Sequence, residues 1–201
     1  MTTTRIRAAD VVPQPWRNGG GRTRELLAWP SAADWLVRVS LADIDADGPF
    51  SAFPGVDRWF MVVEGAGVRL SWPASGRPEQ TLVPGDAPLR FDGGDPPECR
   101  LVRGPTRDLN LMSRGGDAVM ESVRAGLAWS DPRPQRGLFT ATPGTWREGA
   151  TELRLSAREL LWRADAPPAI WRFEPDADDA APVGWWLAWQ SVASHPGESG
   201  P

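Results

Sequence analysis

The chain has 201 residues and a formal net charge of −4; its 22 basic residues are all arginine, and it has no tyrosine. That composition excludes a Schiff-base lysine, a P-loop lysine and a tyrosine acid or nucleophile. Cys99 is the only cysteine and His195 the only histidine, which excludes an intrachain disulfide, a thiolate zinc centre and an iron–sulfur cluster and leaves any Ser-His-Asp triad to a histidine near the C-terminus.

Strand and turn signals dominate along the chain. Residues 35–42 (WLVRVSLA) alternate apolar and polar side chains and predict a half-buried strand. Residues 58–63 (RWFMVV) and 68–72 (VRLSW) flank Glu64-Gly65-Ala66-Gly67, a hairpin pattern with glycine where positive φ is wanted. Residues 81–83 run into the turn Pro84-Gly85-Asp86, and 89–91, 99–102 and 108–112 are further short strands between Gly/Asp/Pro clusters. A helical turn is conceivable only around 117–124, where Gly115-Gly116 could equally mark a loop. Residues 127–144 read as a crossing segment, and 152–155, 159–162 and 184–190 as strands of a smaller second sheet. The acidic stretch 174–179 reads as a solvated loop, and 193–201 as a disordered tail carrying His195. Many short strands at this spacing predict an all-β sandwich or barrel. We place the main unit at 1–125 and a smaller β-unit at 126–201.

The acidic balance argues against a nucleic-acid binder of the basic-patch kind. No apolar run approaches the roughly 18 residues that a membrane-spanning helix needs. Arg5 and Arg7 are not followed by the apolar stretch of a signal peptide. A cytoplasmic protein is expected.

Three clusters carry candidate chemistry. In Trp16-Arg17-Asn18-Gly19-Gly20-Gly21-Arg22-Thr23-Arg24-Glu25, three glycines can bring N–H groups close to an anion, with Asn18 and Thr23 as neutral partners and Arg24 as a carboxylate fork. The same residues also make an ordinary tight loop, with Arg24 and Glu25 as a surface pair. In the second cluster, residues 47–58, Phe50 and Phe53 are apolar anchors and Ser51 and Arg58 are the polar groups able to face a cavity. Arg58, if inward, needs a carboxylate partner or a ligand; outward, it is an ordinary surface residue. The third cluster puts Asp108, Asn110 and Met112 on one strand face and Leu109 and Leu111 on the other. The polar face is either solvated or the wall of a pocket.

The runs WRNGGGRTRE, DGPFSAFPGVDR, PGDAPLRFDGG and DLNLM, in this order, closely resemble the HutD/Ves family over residues 5–115. The resemblance implies a cupin-like β-barrel of double-cupin type and a role in regulating or buffering histidine utilisation through a pathway metabolite. Metal-dependent cupins place histidines inside the barrel. Residues 60–112 contain none, and no Asp/Glu spacing suggests Mg or Ca. A metal-free protein without a cofactor is expected.

Two function classes remain ahead of a purely structural scaffold. The first is a binding protein for a small carboxylate (formylglutamate, urocanate or formate type), with Asn18, Gly19, Gly20, Gly21, Thr23, Arg24, Ser51, Arg58 and Asn110 as candidate ligand residues. The second is a metal-independent isomerase or hydrolase on a similar substrate, for which Glu25, Asp47 and Asp108 are the proton-transfer candidates; no catalytic residue is assigned. A homodimer is left open.

Overall fold

A computed structural model of the chain describes residues 2–177 and 182–191. His195 and the expected disordered tail lie outside the described residues, as do Asp178 and Asp179 of the acidic stretch. The strands begin with β1 (Thr2–Arg7), β2 (Gln14–Pro15), β3 (Gly21–Trp29), β4 (Val37–Ile44), β5 (Gly48–Pro49) and β6 (Val56–Glu64). They continue with β7 (Val68–Trp72), β8 (Arg77–Leu82), β9 (Leu89–Asp92), β10 (Glu98–Leu101), β11 (Thr106–Arg114) and β12 (Gly116–Ser122). The last six are β13 (Gln135–Thr140), β14 (Gly144–Glu148), β15 (Thr151–Leu155), β16 (Glu159–Ala164), β17 (Trp171–Pro175) and β18 (Gly184–Ser191). Among the described residues the helical structure is one 3-10 turn at Ala8–Asp10, and no helix is long and apolar enough to cross a membrane.

Four antiparallel sheets stack with three apolar layers between them. The six-stranded sheet β2-β3-β4-β11-β6-β9 faces the four-stranded sheet β5-β10-β7-β8, and Ile44, Phe60 and Val62 meet Val68, Leu70 and Cys99 between them. The back of the six-stranded sheet lies on the five-stranded sheet β1-β16-β13-β18-β12, burying Val39, Leu41, Leu109 and Leu111 against Phe139, Trp162, Trp185 and Leu187. The five-stranded sheet then covers β15-β14-β17 through Leu138, Leu161, Trp146, Trp171 and Phe173. Each such fully buried aliphatic side chain stabilises the fold by about 1.5–3 kcal/mol. The period-2 pattern of β4 explains the arrangement: Val37, Val39 and Leu41 enter the central layer, while Arg38, Ser40 and Ala42 face the other way.

The all-β expectation holds, but four local readings do not. Residues 117–124 lie largely in β12, which pairs with β18 along seven positions. The crossing segment contains β13, whose six residues are all buried between β16 and β18. Glu174 and Pro175 close β17 instead of opening a loop. The boundary at 125/126 does not divide the sheets, because β1 pairs with β16 from Thr2↔Ala164 to Arg7↔Glu159 and β12 joins the same sheet. The second unit is therefore built from eight strands against ten in the first.

Candidate functional site

A cavity of about 600 Å³ opens between the six-stranded sheet and the β5 region. Its walls come from three elements whose inward positions share one face. β4 contributes Arg38, Ser40 and Ala42, β11 contributes Asn110 and Met112, and β6 contributes Arg58. Strand pairing sets these side by side: Asn110 stands opposite Ser40 and Phe60, and Met112 stands between Arg38 and Arg58. Trp16, Asn18 and Thr23 line one rim, and Pro49, Phe50, Ser51 and Phe53 the other.

Arg58 is the centre of this arrangement. Its Nε and Nη2 both donate to Asn110 Oδ1, at 3.0 and 2.7 Å. Its guanidinium lies 4.4 Å from the centroid of the Phe50 ring and 5.5 Å from that of Phe91. Neighbouring arginines such as Arg38 and Arg24 have carboxylate partners; Arg58 makes no ion pair among the described residues. Burial pushes its pKa down to about 10, with Asp108 opposing and Arg38 reinforcing the shift, so it is still a cation at neutral pH. A half-buried guanidinium with aromatic faces around it and no counter-carboxylate leaves its charge available to a guest. Ser40, Ser51 and the Asn110 amide add neutral hydrogen-bonding groups around it.

Five of the residues singled out from the sequence meet here: Asn18, Thr23, Ser51, Arg58 and Asn110. Arg24 does not. It alternates with Thr23 along β3, points to the opposite face, and donates to Asp43 at 2.7 Å. Gly19, Gly20 and Gly21 are also outside the cavity wall, and their expected anion cradle does not form. The Gly19 N–H donates to the Trp16 carbonyl (3.0 Å) and the Gly20 N–H to Asn18 Oδ1 (3.1 Å), while Gly21 is already paired with Ile44. The glycines instead allow a close turn. A Cβ on Gly21 would stand 2.3 Å from the Asp43 carbonyl oxygen and 3.1 Å from the Trp16 ring, whereas one on Gly20 meets nothing closer than 3.5 Å. Gly21→Ala is expected to destabilise the fold by roughly 1–3 kcal/mol, while Gly20→Ala leaves the melting temperature near that of the parent; thermal denaturation of both variants checks this.

Arg38, Ser40, Ala42 and Trp16 were not among the sequence candidates. For the three residues of β4 the signal is the alternation of 35–42, which predicts a half-buried strand without naming what its polar face meets, and Trp16 stands in the WRNGGGRTRE cluster. Among the described residues no group of three or more His, Cys, Asp or Glu side chains stands together as a cation cluster. The corresponding space of the second unit is filled by Trp146, Trp171, Phe173 and Trp186. Arg136 is buried there, with its guanidinium donating to the Ala169 and Pro167 carbonyls.

Two stacked units of facing antiparallel sheets, the first with a polar cavity in its interior, define a double cupin. A family model described as HutD matches residues 8–172, and the chain belongs to that family. It is 37% identical over 128 residues to an uncharacterized 21.2 kDa protein in the hutC 3' region of Pseudomonas putida, a match covering 63% of each chain. Protein Ves of Cronobacter sakazakii is 32% identical over 143 residues, covering 69% of this chain and 77% of that one. The structure of HutD from Pseudomonas fluorescens SBW25 (formate condition) superposes with a TM-score of 0.81 at 25% identity, over 95% of this chain and all of that one. An oxalate decarboxylase from Bacillus subtilis shares the fold at a TM-score of 0.63 and 10% identity, over 95% of this chain and 78% of the other.

Proposed function

We propose that the first cupin unit binds a small carboxylate metabolite of the formylglutamate, urocanate or formate type, and that this binding regulates or buffers histidine utilisation in the cytoplasm. The observation that carries the reading is Arg58: a half-buried guanidinium oriented by Asn110, stacked on Phe50, and without a carboxylate of its own in a cavity of about 600 Å³. An anionic guest supplies the missing partner, and a charge-assisted bond in a partly desolvated wall is the strong kind. The hutC-region name of the P. putida relative and the formate condition of the P. fluorescens structure are in keeping with this choice of ligands.

Binding is favoured over turnover by the position of the three acids. Glu25 accepts from Arg38 at 2.7 Å, Asp47 accepts the Leu101 N–H at 2.8 Å, and Asp108 lies behind the cavity wall, fully buried. None of them faces the guest as a free base. The test is calorimetry with N-formylglutamate, urocanate and formate beside uncharged amide analogues. At least one acid is expected to bind, with its amide at least tenfold weaker, as loss of a charged hydrogen bond of about 1.5–3 kcal/mol requires. Equal affinity of acids and amides, or no binding of any acid, would overturn the reading.

A further inference from the structure

The cavity accounts for Asn110 and Met112 on the inner face of β11 but not for the third residue of that face. Asp108 is completely buried. Its Oδ2 accepts from Thr106 Oγ1 at 2.8 Å, and its Oδ1 has no partner. Across the strands it stands between Ala42, whose small side chain forms cavity wall, and Val62. It is thus one inward step along β11 from Asn110, the residue that orients Arg58. A buried carboxylate with one oxygen unpaired is an expensive group to keep for packing alone.

We infer that Asp108 is a proton switch behind the anion site: as a neutral acid it leaves the Arg58 charge to the guest, and as a carboxylate it takes that charge for itself. This rests on the binding reading above and extends it to control by pH. The charged groups acting on Asp108 are Arg58 from β6, Arg107 beside it on β11, and Asp43 on β4. The Cys99 thiol of β10 also feels it, but burial pushes that thiol up to about 12, so it stays neutral. Burial likewise raises Asp108 to about 8, outweighing Thr106 and the two arginines, which pull it down. The neutral acid is therefore the main form at neutral pH, and the carboxylate appears within a mildly alkaline range. Arg58 itself, at about 10, keeps its proton throughout that range.

The experiment is calorimetry with N-formylglutamate, whose carboxylates stay ionised across the range, on the wild type, Asp108→Asn and Thr106→Val. If only the neutral-acid form binds well, wild-type affinity falls about tenfold from pH 6 to pH 9, one unit above the Asp108 pKa. Asp108→Asn cannot ionise and is expected to bind at pH 9 as the wild type does at pH 6. Thr106→Val removes the hydroxyl that favours the carboxylate, so the decline moves to higher pH; this variant decides the matter should Asp108→Asn not fold. A direct check is the melting temperature. A carboxyl raised in the folded state withdraws stability as pH rises from the unfolded value towards about 8, so Asp108→Asn should gain on the wild type over that interval. Binding with the same pH profile in wild type and Asp108→Asn overturns the switch and leaves the anion site standing. No binding of N-formylglutamate, urocanate or formate at pH 6 overturns the anion site and the switch with it, and if only urocanate or formate binds, that acid takes the place of N-formylglutamate in the pH series.

Discussion

Arg58→Ala is expected to weaken binding of the best carboxylate by well over tenfold, to the limit of calorimetric detection. The guanidinium supplies an unpaired charge on the half-buried inner wall of the cavity, and a charge-assisted bond contributes about 1.5–3 kcal/mol. The variant also strands Asn110, whose Oδ1 accepts from both Nε and Nη2, so the amide loses its fixed orientation as well. Arg58→Lys keeps the charge but not the two-pronged grip on Asn110 or the flat face above Phe50, and should recover only part of the affinity. Stability should not follow. Removing a half-buried cation that has no ion pair relieves a desolvation cost that offsets the hydrogen bonds lost to Asn110, so the melting temperature of Arg58→Ala should stay near that of the parent. Loss of binding with retained stability is the signature of a residue kept for binding and not for the fold. Arg103→Ala, exposed and not part of the cavity wall, serves as the control. Equal affinity of Arg58→Ala and wild type would remove the cavity as the site.

The inward placement of Arg58 was open in the sequence because alternation shows which residues share a face, not which face is wet. The strand around Asn110 was legible for the same reason: Leu109 and Leu111 must go one way and Asn110 and Met112 the other. The turn after β6 was legible through chemistry, with Gly65 and Gly67 both at positive φ. What stayed hidden had a common cause. β13 carries Gln135, Arg136 and Thr140 among its six buried residues, so no apolar run announces it. Arg136 donates through its two Nη atoms to main-chain carbonyls 31 and 33 residues away, which only the folded chain supplies. β3 was masked by the glycines ahead of it. Once Gly21 is the first residue of a strand, Thr23 must face inward and Arg24 outward, and the anion cradle expected of the loop gives way to ordinary ladder and turn hydrogen bonds. The N-terminal strand β1 could not be assigned to the second unit from its own residues, since its partner β16 is more than 150 positions away.

The residue displaced from the site by that alternation leads to the largest expected effect on stability. Asp43 is buried on the outward face of β4 and accepts from three guanidiniums: Arg22 at 2.9 Å, Arg24 at 2.7 Å and Arg107 at 2.7 Å. Arg107 also donates to Glu64 at 3.0 Å, and Glu64 accepts from Arg158 of the second unit at 3.1 Å. One carboxylate thus ties β3, β4 and β11, the strands that present Thr23, Ser40 and Asn110 to the cavity, and connects them to the neighbouring unit. Burial alone would raise the Asp43 pKa, but the hydrogen bonds from Arg24, Arg107 and Arg22 bring it down to about 2. A depressed carboxylate contributes stability above its unfolded value near 3.8 and loses it as pH falls through about 2. The charged form is therefore worth about 2 kcal/mol at neutral pH. Asp43→Asn goes further, because it leaves the partly buried Arg24 without an anion and Arg107 with Glu64 alone; breaking a buried ion pair from one side costs roughly 3–5 kcal/mol, and these partly exposed arginines set the loss at about 3 kcal/mol. Removing the exposed Arg22 should cost far less, since water replaces its partner. Urea unfolding of wild type and Asp43→Asn at neutral pH measures the gap, and repeating it towards pH 2 should show the gap narrowing as the wild-type carboxylate takes up its proton. A gap that is small at neutral pH, or that does not change on acidification, would show that the three arginines stand in place without Asp43 and that strand register around the cavity is set by the apolar layer alone.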